Sequence, residues 1–91
     1  MGIRWTLAAA ADIEQIGEQL KKPASLLPPA TVRRLYDEIR SLKDWPHTGR
    51  IGHEDGTREL VCPPLPYVAV YRVREHHIEV LRIYNAAQDR P

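Results

Sequence analysis

The residues of this 91-residue chain best equipped for chemistry are a few arginines and a tyrosine in its C-terminal half. Arg58, Arg72 and Arg82 each lie in a stretch that alternates apolar and polar side chains, and Tyr84 follows Arg82 by two positions. Side chains two apart on a strand share a face. Ile78, Val80, Arg82 and Tyr84 therefore separate from Leu81 and Ile83. Tyr67, Ala69, Tyr71 and Val73 separate from Val68, Val70 and Arg72, and Arg58, Leu60 and Cys62 separate from Glu59 and Val61. If Arg58, Arg72 and Arg82 share an open face, their guanidiniums ring a shallow surface beside Tyr84. Such forks match phosphates and carboxylates in bidentate fashion. The plainer alternative is that the arginines are solvated or paired with Glu54, Glu59, Glu75 and Glu79, and that Tyr84 is a half-buried packing ring. A β-bulge would exchange the sides.

Other chemistries find little support. His76 and His77 fall in an expected turn, and a metal would need further ligands at a sensible spacing. Cys62 and His53 could join them only through tertiary structure, so neither a metal nor a cofactor is expected. There is no glycine-rich phosphate loop between a strand and a helix, and no flanked serine nucleophile. Cys62, within an apolar strand, reads as buried packing.

The elements that must position these residues are modest in number. Ninety-one residues make one domain, spanning 1–91, because two cores would each be too small. Residues 3–7 read as a strand. Residues 8–20 read as a helix, with Ala9, Ile13, Ile16 and Leu20 at helical spacing and Asp12, Glu14 and Glu18 off that stripe. Pro23 stops it. A second helix is expected over 29–42, with Val32, Leu35, Ile39 and Leu42 on its stripe. Residues 46–57 carry Pro46, Gly49, Gly52 and Gly56 and read as loop or irregular strand. Strands follow at 58–62, 67–74 and 78–84, with Glu75-His76-His77 as a hairpin turn. The order β-α-α-β-β-β predicts an α+β fold: a twisted, mainly antiparallel sheet carrying an N-terminal helical hairpin on one face.

Charge and composition narrow the class. The net charge of +1 argues against binding nucleic acid by bulk electrostatics, while leaving room for a local basic face. A single cysteine allows no intrachain disulfide. No signal-peptide pattern opens the chain and no apolar run reaches bilayer length, so a reduced, cytoplasmic protein with no membrane partner is expected. Met1-Gly2-Ile3-Arg4-Trp5-Thr6 fits the myristoylation pattern, but Ile3, Trp5 and Leu7 alternate as a first strand should.

Several segments in order resemble the RelE/ParE family of toxins from bacterial type II toxin–antitoxin systems. They are Pro46-His47-Thr48-Gly49-Arg50, Gly56-Thr57-Arg58-Glu59-Leu60-Val61, Pro66-Tyr67-Val68-Ala69-Val70-Tyr71-Arg72-Val73, Ile78-Glu79-Val80-Leu81-Arg82-Ile83-Tyr84 and Gln88-Asp89-Arg90-Pro91. The N-terminal part fits too, with Trp5 and the helical run Ala11-Asp12-Ile13 and Ile16. The resemblance implies a growth-arresting toxin and an antitoxin partner that wraps it. It leaves the target open, since RelE-like members cut messenger RNA on the ribosome and ParE-like members poison DNA gyrase. Arg58 and Arg82 stand where RelE-like nucleases hold phosphate, and Tyr84 offers a phenol. The lysines that some of these nucleases use have no equivalent in the 46–57 loop, and Asn85 stands where many relatives carry a histidine. Asparagine cannot exchange a proton near neutral pH. His47 or His53 could replace that histidine only if the loop folds over the face. This deficit tilts the reading towards gyrase inhibition. For a nuclease, the catalytic candidates are Arg58, Arg82 and Tyr84. For contact with target or antitoxin, the candidates are Arg50, Arg58, Arg72, Arg82, Asn85, Gln88 and Arg90. A degenerate, non-toxic binding module is the third reading.

Overall fold

The structure, a computed structural model, describes residues 1–87. Strand β1 (Gly2–Trp5) is cut short by Thr6, whose extended backbone and side chain cap the first helix. The Thr6 hydroxyl accepts a hydrogen bond from the Ala9 N–H at 3.0 Å, taking up one of the donors that a helix start leaves unpaired. Leu7, expected at the end of the strand, is instead the first residue of α1 (Leu7–Leu20) and is 91% exposed. Helix α2 (Thr31–Arg40) starts after the proline pair rather than within it, and a short 3-10 turn, Ser41–Lys43, completes the expected span.

Four further strands follow: β2 (Arg50–Ile51), β3 (Arg58–Val61), β4 (Tyr67–Val73) and β5 (His77–Asn85). The sheet order is β1-β5-β4-β3-β2. β5 pairs antiparallel with β4, β4 with β3 and β3 with β2, while β1 runs parallel to β5. A parallel pair needs a long connection, which everything between the first strand and the last supplies. The sheet is therefore mixed, and β2 adds a short edge strand inside the expected loop.

The helical hairpin covers one face. Ala9, Ile13, Ile16 and Leu20 of α1, with Leu35 and Ile39 of α2 and Leu42 after it, bury against Leu60, Tyr67, Ala69, Tyr71, Ile78, Val80 and Ile83 of the sheet. These are the stripes that the helical and strand periods predict.

A β-bulge sets the other face. Tyr71 pairs with Val80 but its neighbour Val70 pairs with Arg82, so Leu81 is an extra residue in β5. An inserted residue shifts the alternation by one position. Ile78 and Val80 before it and Ile83 after it all point to the core, whereas unbroken alternation separates Ile83 from the other two.

Candidate functional site

The bulge decides where the chemistry-bearing residues of β5 go. Arg82 stands directly opposite Val70, and Tyr84 opposite Val68, on the face away from the helices. Leu81, Arg82 and Tyr84 line one open recess of about 320 Å³, together with His53, Glu54, Thr57, Glu59 and Val70. Without the bulge, alternation from Val80 would carry Arg82 to the core side.

Arg58 does not join them. It stands opposite the fully buried Tyr71, on the helix side of the sheet with Leu60. Its Nη1 donates to the backbone carbonyls of Gly49 at 2.8 Å and His47 at 3.4 Å. The ring of Arg58, Arg72 and Arg82 on one face is thus corrected. Arg72 and Arg82 share the open face, but Arg72 does not line the recess; its Nη1 donates to the carbonyl of Asp55 at 3.3 Å, in the loop that forms the recess wall.

The recess has one wall made by the loop that the glycines mark. Tyr71 ties that loop to the core: its hydroxyl accepts from the Gly49 N–H at 2.9 Å and donates to the Pro46 carbonyl at 2.8 Å. Burial pushes the pKa of this phenol up, so it stays a donor. Position 49 must be glycine, because a Cβ there would lie 2.6 Å from the Tyr71 hydroxyl. Gly56, at φ 78°, makes the turn into β3. Arg50 stands opposite Glu59 across β2 and β3, and its Nε and Nη2 donate to Glu59 Oε1 at 3.0 and 2.9 Å. The loop therefore does fold over the open face and brings His53 to Arg82 and Tyr84. His47 lies elsewhere, in a depression with Asp44, Trp45, Pro46 and Thr48.

Arg82 is held from the other side by α1. Its Nε and Nη2 donate to the two carboxylate oxygens of Asp12 at 2.8 and 3.1 Å, and this hydrogen bonding raises the arginine's pKa further. Asp12 also accepts the backbone N–H of Ile83 at 2.9 Å. Asp12 was not among the sequence-derived candidates. Its signal was its place at the rim of the helix's apolar stripe, four residues before Ile16, where a carboxylate can reach the sheet.

The remaining candidates scatter. Asn85 opposes Tyr67 and lines a separate depression with Leu26, Leu27, Pro64 and Pro66, and its Oδ1 accepts the Ala87 N–H at 2.8 Å. Gln88 and Arg90 lie outside the described residues. Cys62 is 2% exposed, and burial pushes its thiol up to about 11. Among the described residues, no group of three or more His, Cys, Asp or Glu side chains could hold a metal ion, and no helix is long and apolar enough to cross a membrane.

Comparison with known proteins places this geometry in a family. Residues 3–90 match the family model described as the ParE toxin of the type II toxin–antitoxin system parDE. The chain is 34% identical over 89 residues to the Y4kP protein of Sinorhizobium fredii, covering 98% of this chain and 92% of that one. It is 33% identical over 84 residues to toxin RelE2 of Caulobacter vibrioides, covering 92% and 93%. Among solved structures, the chromosomal ParDE toxin–antitoxin system from P. aeruginosa is similar at TM-score 0.68 and 27% identity, covering 93% of this chain and 95% of that chain. The RelBE2 toxin–antitoxin complex from Mycobacterium tuberculosis shares the fold at TM-score 0.69 and 19% identity, covering 92% and 95%. Sheet order, helical hairpin and sequence agree, and the chain belongs to the ParE/RelE family of type II toxin–antitoxin toxins.

Proposed function

We propose that this toxin arrests growth by docking on DNA gyrase, without cutting RNA, and that a cognate antitoxin neutralises it. The observation that carries the reading is the commitment of its guanidiniums. RNA cleavage needs cations aimed at one phosphate, besides an acid and a base. Arg58 is on the far face and donates to backbone carbonyls. Among the described residues lining the recess, Arg82 is the one guanidinium, and its charge is matched by Asp12. The same walls carry the carboxylates of Glu54 and Glu59. That leaves one guanidinium edge, enough for a single polar pair with a docked protein and short of the several cations that a cleaving phosphodiester needs.

The antitoxin half of the reading has separate support. Leu7, Leu26, Trp45 and Ile51 are 91%, 99%, 70% and 74% exposed, and an antitoxin that wraps the toxin would take such side chains out of water. The P. aeruginosa and M. tuberculosis neighbours are toxin–antitoxin systems. An acidic antitoxin segment can also take the arginines of the surface through charge-assisted pairs.

Purified toxin titrated into a gyrase supercoiling reaction tests the proposal. Inhibition that an added antitoxin reverses is the expected result. Intact supercoiling, with ribosome-dependent cuts in cellular mRNA after induction, would overturn it. One observation favours that second reading: His53 stands in the recess with Arg82 and Tyr84, where a nuclease would keep its proton carrier.

A further inference from the structure

The edge of β5 changes partner halfway along. Pairing with β1 ends at Trp5 opposite Val80. Beyond it, the start of α1 takes the place of a strand. The Thr6 N–H donates to the Val80 carbonyl at 3.0 Å, and the Thr6 hydroxyl donates to the Leu81 carbonyl at 2.9 Å. Asp12 then accepts the Ile83 N–H. The consecutive residues Leu81, Arg82 and Ile83, which span the bulge, are thus all tied to the first two turns of α1 and its cap.

Arg82 gains most from this. Its side chain is 44% exposed, while that of Asp12 is 14% exposed, so a partly shielded carboxylate grips a solvated guanidinium. An arginine at such exposure ordinarily samples many rotamers, and a partner that binds it must stop them. Here the Nε–Nη2 edge is already occupied by the two oxygens of Asp12. A planar guanidinium can take a second carboxylate along its remaining edge.

We propose that Asp12 is a positioning residue of the functional site, which holds Arg82 at the recess so that its remaining edge donates to a carboxylate of the target protein. The inference rests on the reading of Arg82 as part of the target surface. Immobilising one such side chain in advance changes affinity by roughly two- to tenfold.

The experiment is a double-mutant comparison in the full-length toxin. Asp12→Asn keeps an oxygen for the Ile83 N–H and removes the charge that grips Arg82. It should raise, by up to about tenfold, both the inducer dose for growth arrest and the toxin concentration that half-inhibits gyrase supercoiling. In an Arg82→Ala background the same substitution should change neither. An equal effect in both backgrounds would mean that Asp12 merely stabilises the fold, and would overturn the proposal. A lower dose with Asp12→Asn would make Asp12 a competitor for Arg82, and would overturn it too. If wild-type toxin stops growth without touching gyrase, the target reading fails, and the growth titration still decides the role of Asp12. A measurement without substitution guards against misfolding of the variant. The Arg82 Hε of 15N-labelled wild-type toxin should be protected from exchange with water, and rapid exchange would contradict the proposed grip.

Discussion

The two faces of the sheet are held by different forces. On the helix side, Leu35, Ile39, Leu42, Ile78 and Val80 are fully buried, and hydrocarbon removed from water provides the stability. On the open face, order comes from directed polar pairs, Arg50 on Glu59 and Asp12 on Arg82, and the loop above it is tied by the hydroxyl of the core residue Tyr71 to Pro46 and Gly49. Apolar burial is non-directional and tolerates changes of shape. The polar face depends on single hydrogen bonds whose loss moves a loop or a guanidinium by ångströms. A surface whose task is recognition gains from that second kind of order, because a docked partner reads positions rather than volumes.

The contrast can be broken most forcefully from the helix side. Ile39→Ala should cost on the order of 2–5 kcal/mol, since a fully buried side chain leaves a cavity. Leu26, at 99% exposure, should be replaceable by alanine within about 0.5 kcal/mol. Urea unfolding of both variants checks the pair, and similar costs would erase the distinction.

Tyr71→Phe sharpens the comparison from the middle of the molecule. It keeps the buried ring and removes only the hydroxyl that anchors the loop. The expected cost is about 1–3 kcal/mol, because the buried Gly49 N–H loses its acceptor. Amide exchange should quicken at Gly49 and across the recess wall, while α1 and α2 stay protected. Uniform quickening would show that the loop has no independent anchor.

The smallest effect concerns Cys62. Its folded pKa of about 11 lies above the unfolded value, so the protonated thiol favours the folded state. That contribution is complete below the unfolded pKa and is lost as pH rises through the folded one. Disulfide reagents should react slowly with the native protein at neutral pH and promptly in urea. Prompt reaction without urea would place the thiol at the surface.

The same division explains what was legible in the sequence. Period alone placed both helices and their buried stripes, because Ile13, Ile16, Leu20, Leu35 and Ile39 recur at 3.6-residue spacing and the core accepts only that face. The strand faces were legible until Leu81. One inserted residue carries no compositional mark, so Ile83 was assigned away from Ile78 and Val80. Arg58 was placed with Leu60 and Cys62 correctly, yet which face the helices cover is settled only by packing. The partners of Arg82 were hidden for a different reason. Asp12 precedes it by 70 positions, and no local rule joins a helix carboxylate to the edge of the last strand.

The claim that the open face docks a protein and does not cut RNA turns on one hydroxyl. Tyr84 lies opposite Val68, and its ring lines the recess whether or not the phenol donates a proton. The deciding measurement is gyrase supercoiling inhibition by the Tyr84→Phe toxin, run beside mapping of mRNA ends after its induction. Inhibition equal to wild type, with no new mRNA ends from either protein, is the predicted result. Ribosome-dependent cuts that wild-type toxin makes and Tyr84→Phe does not would contradict the account.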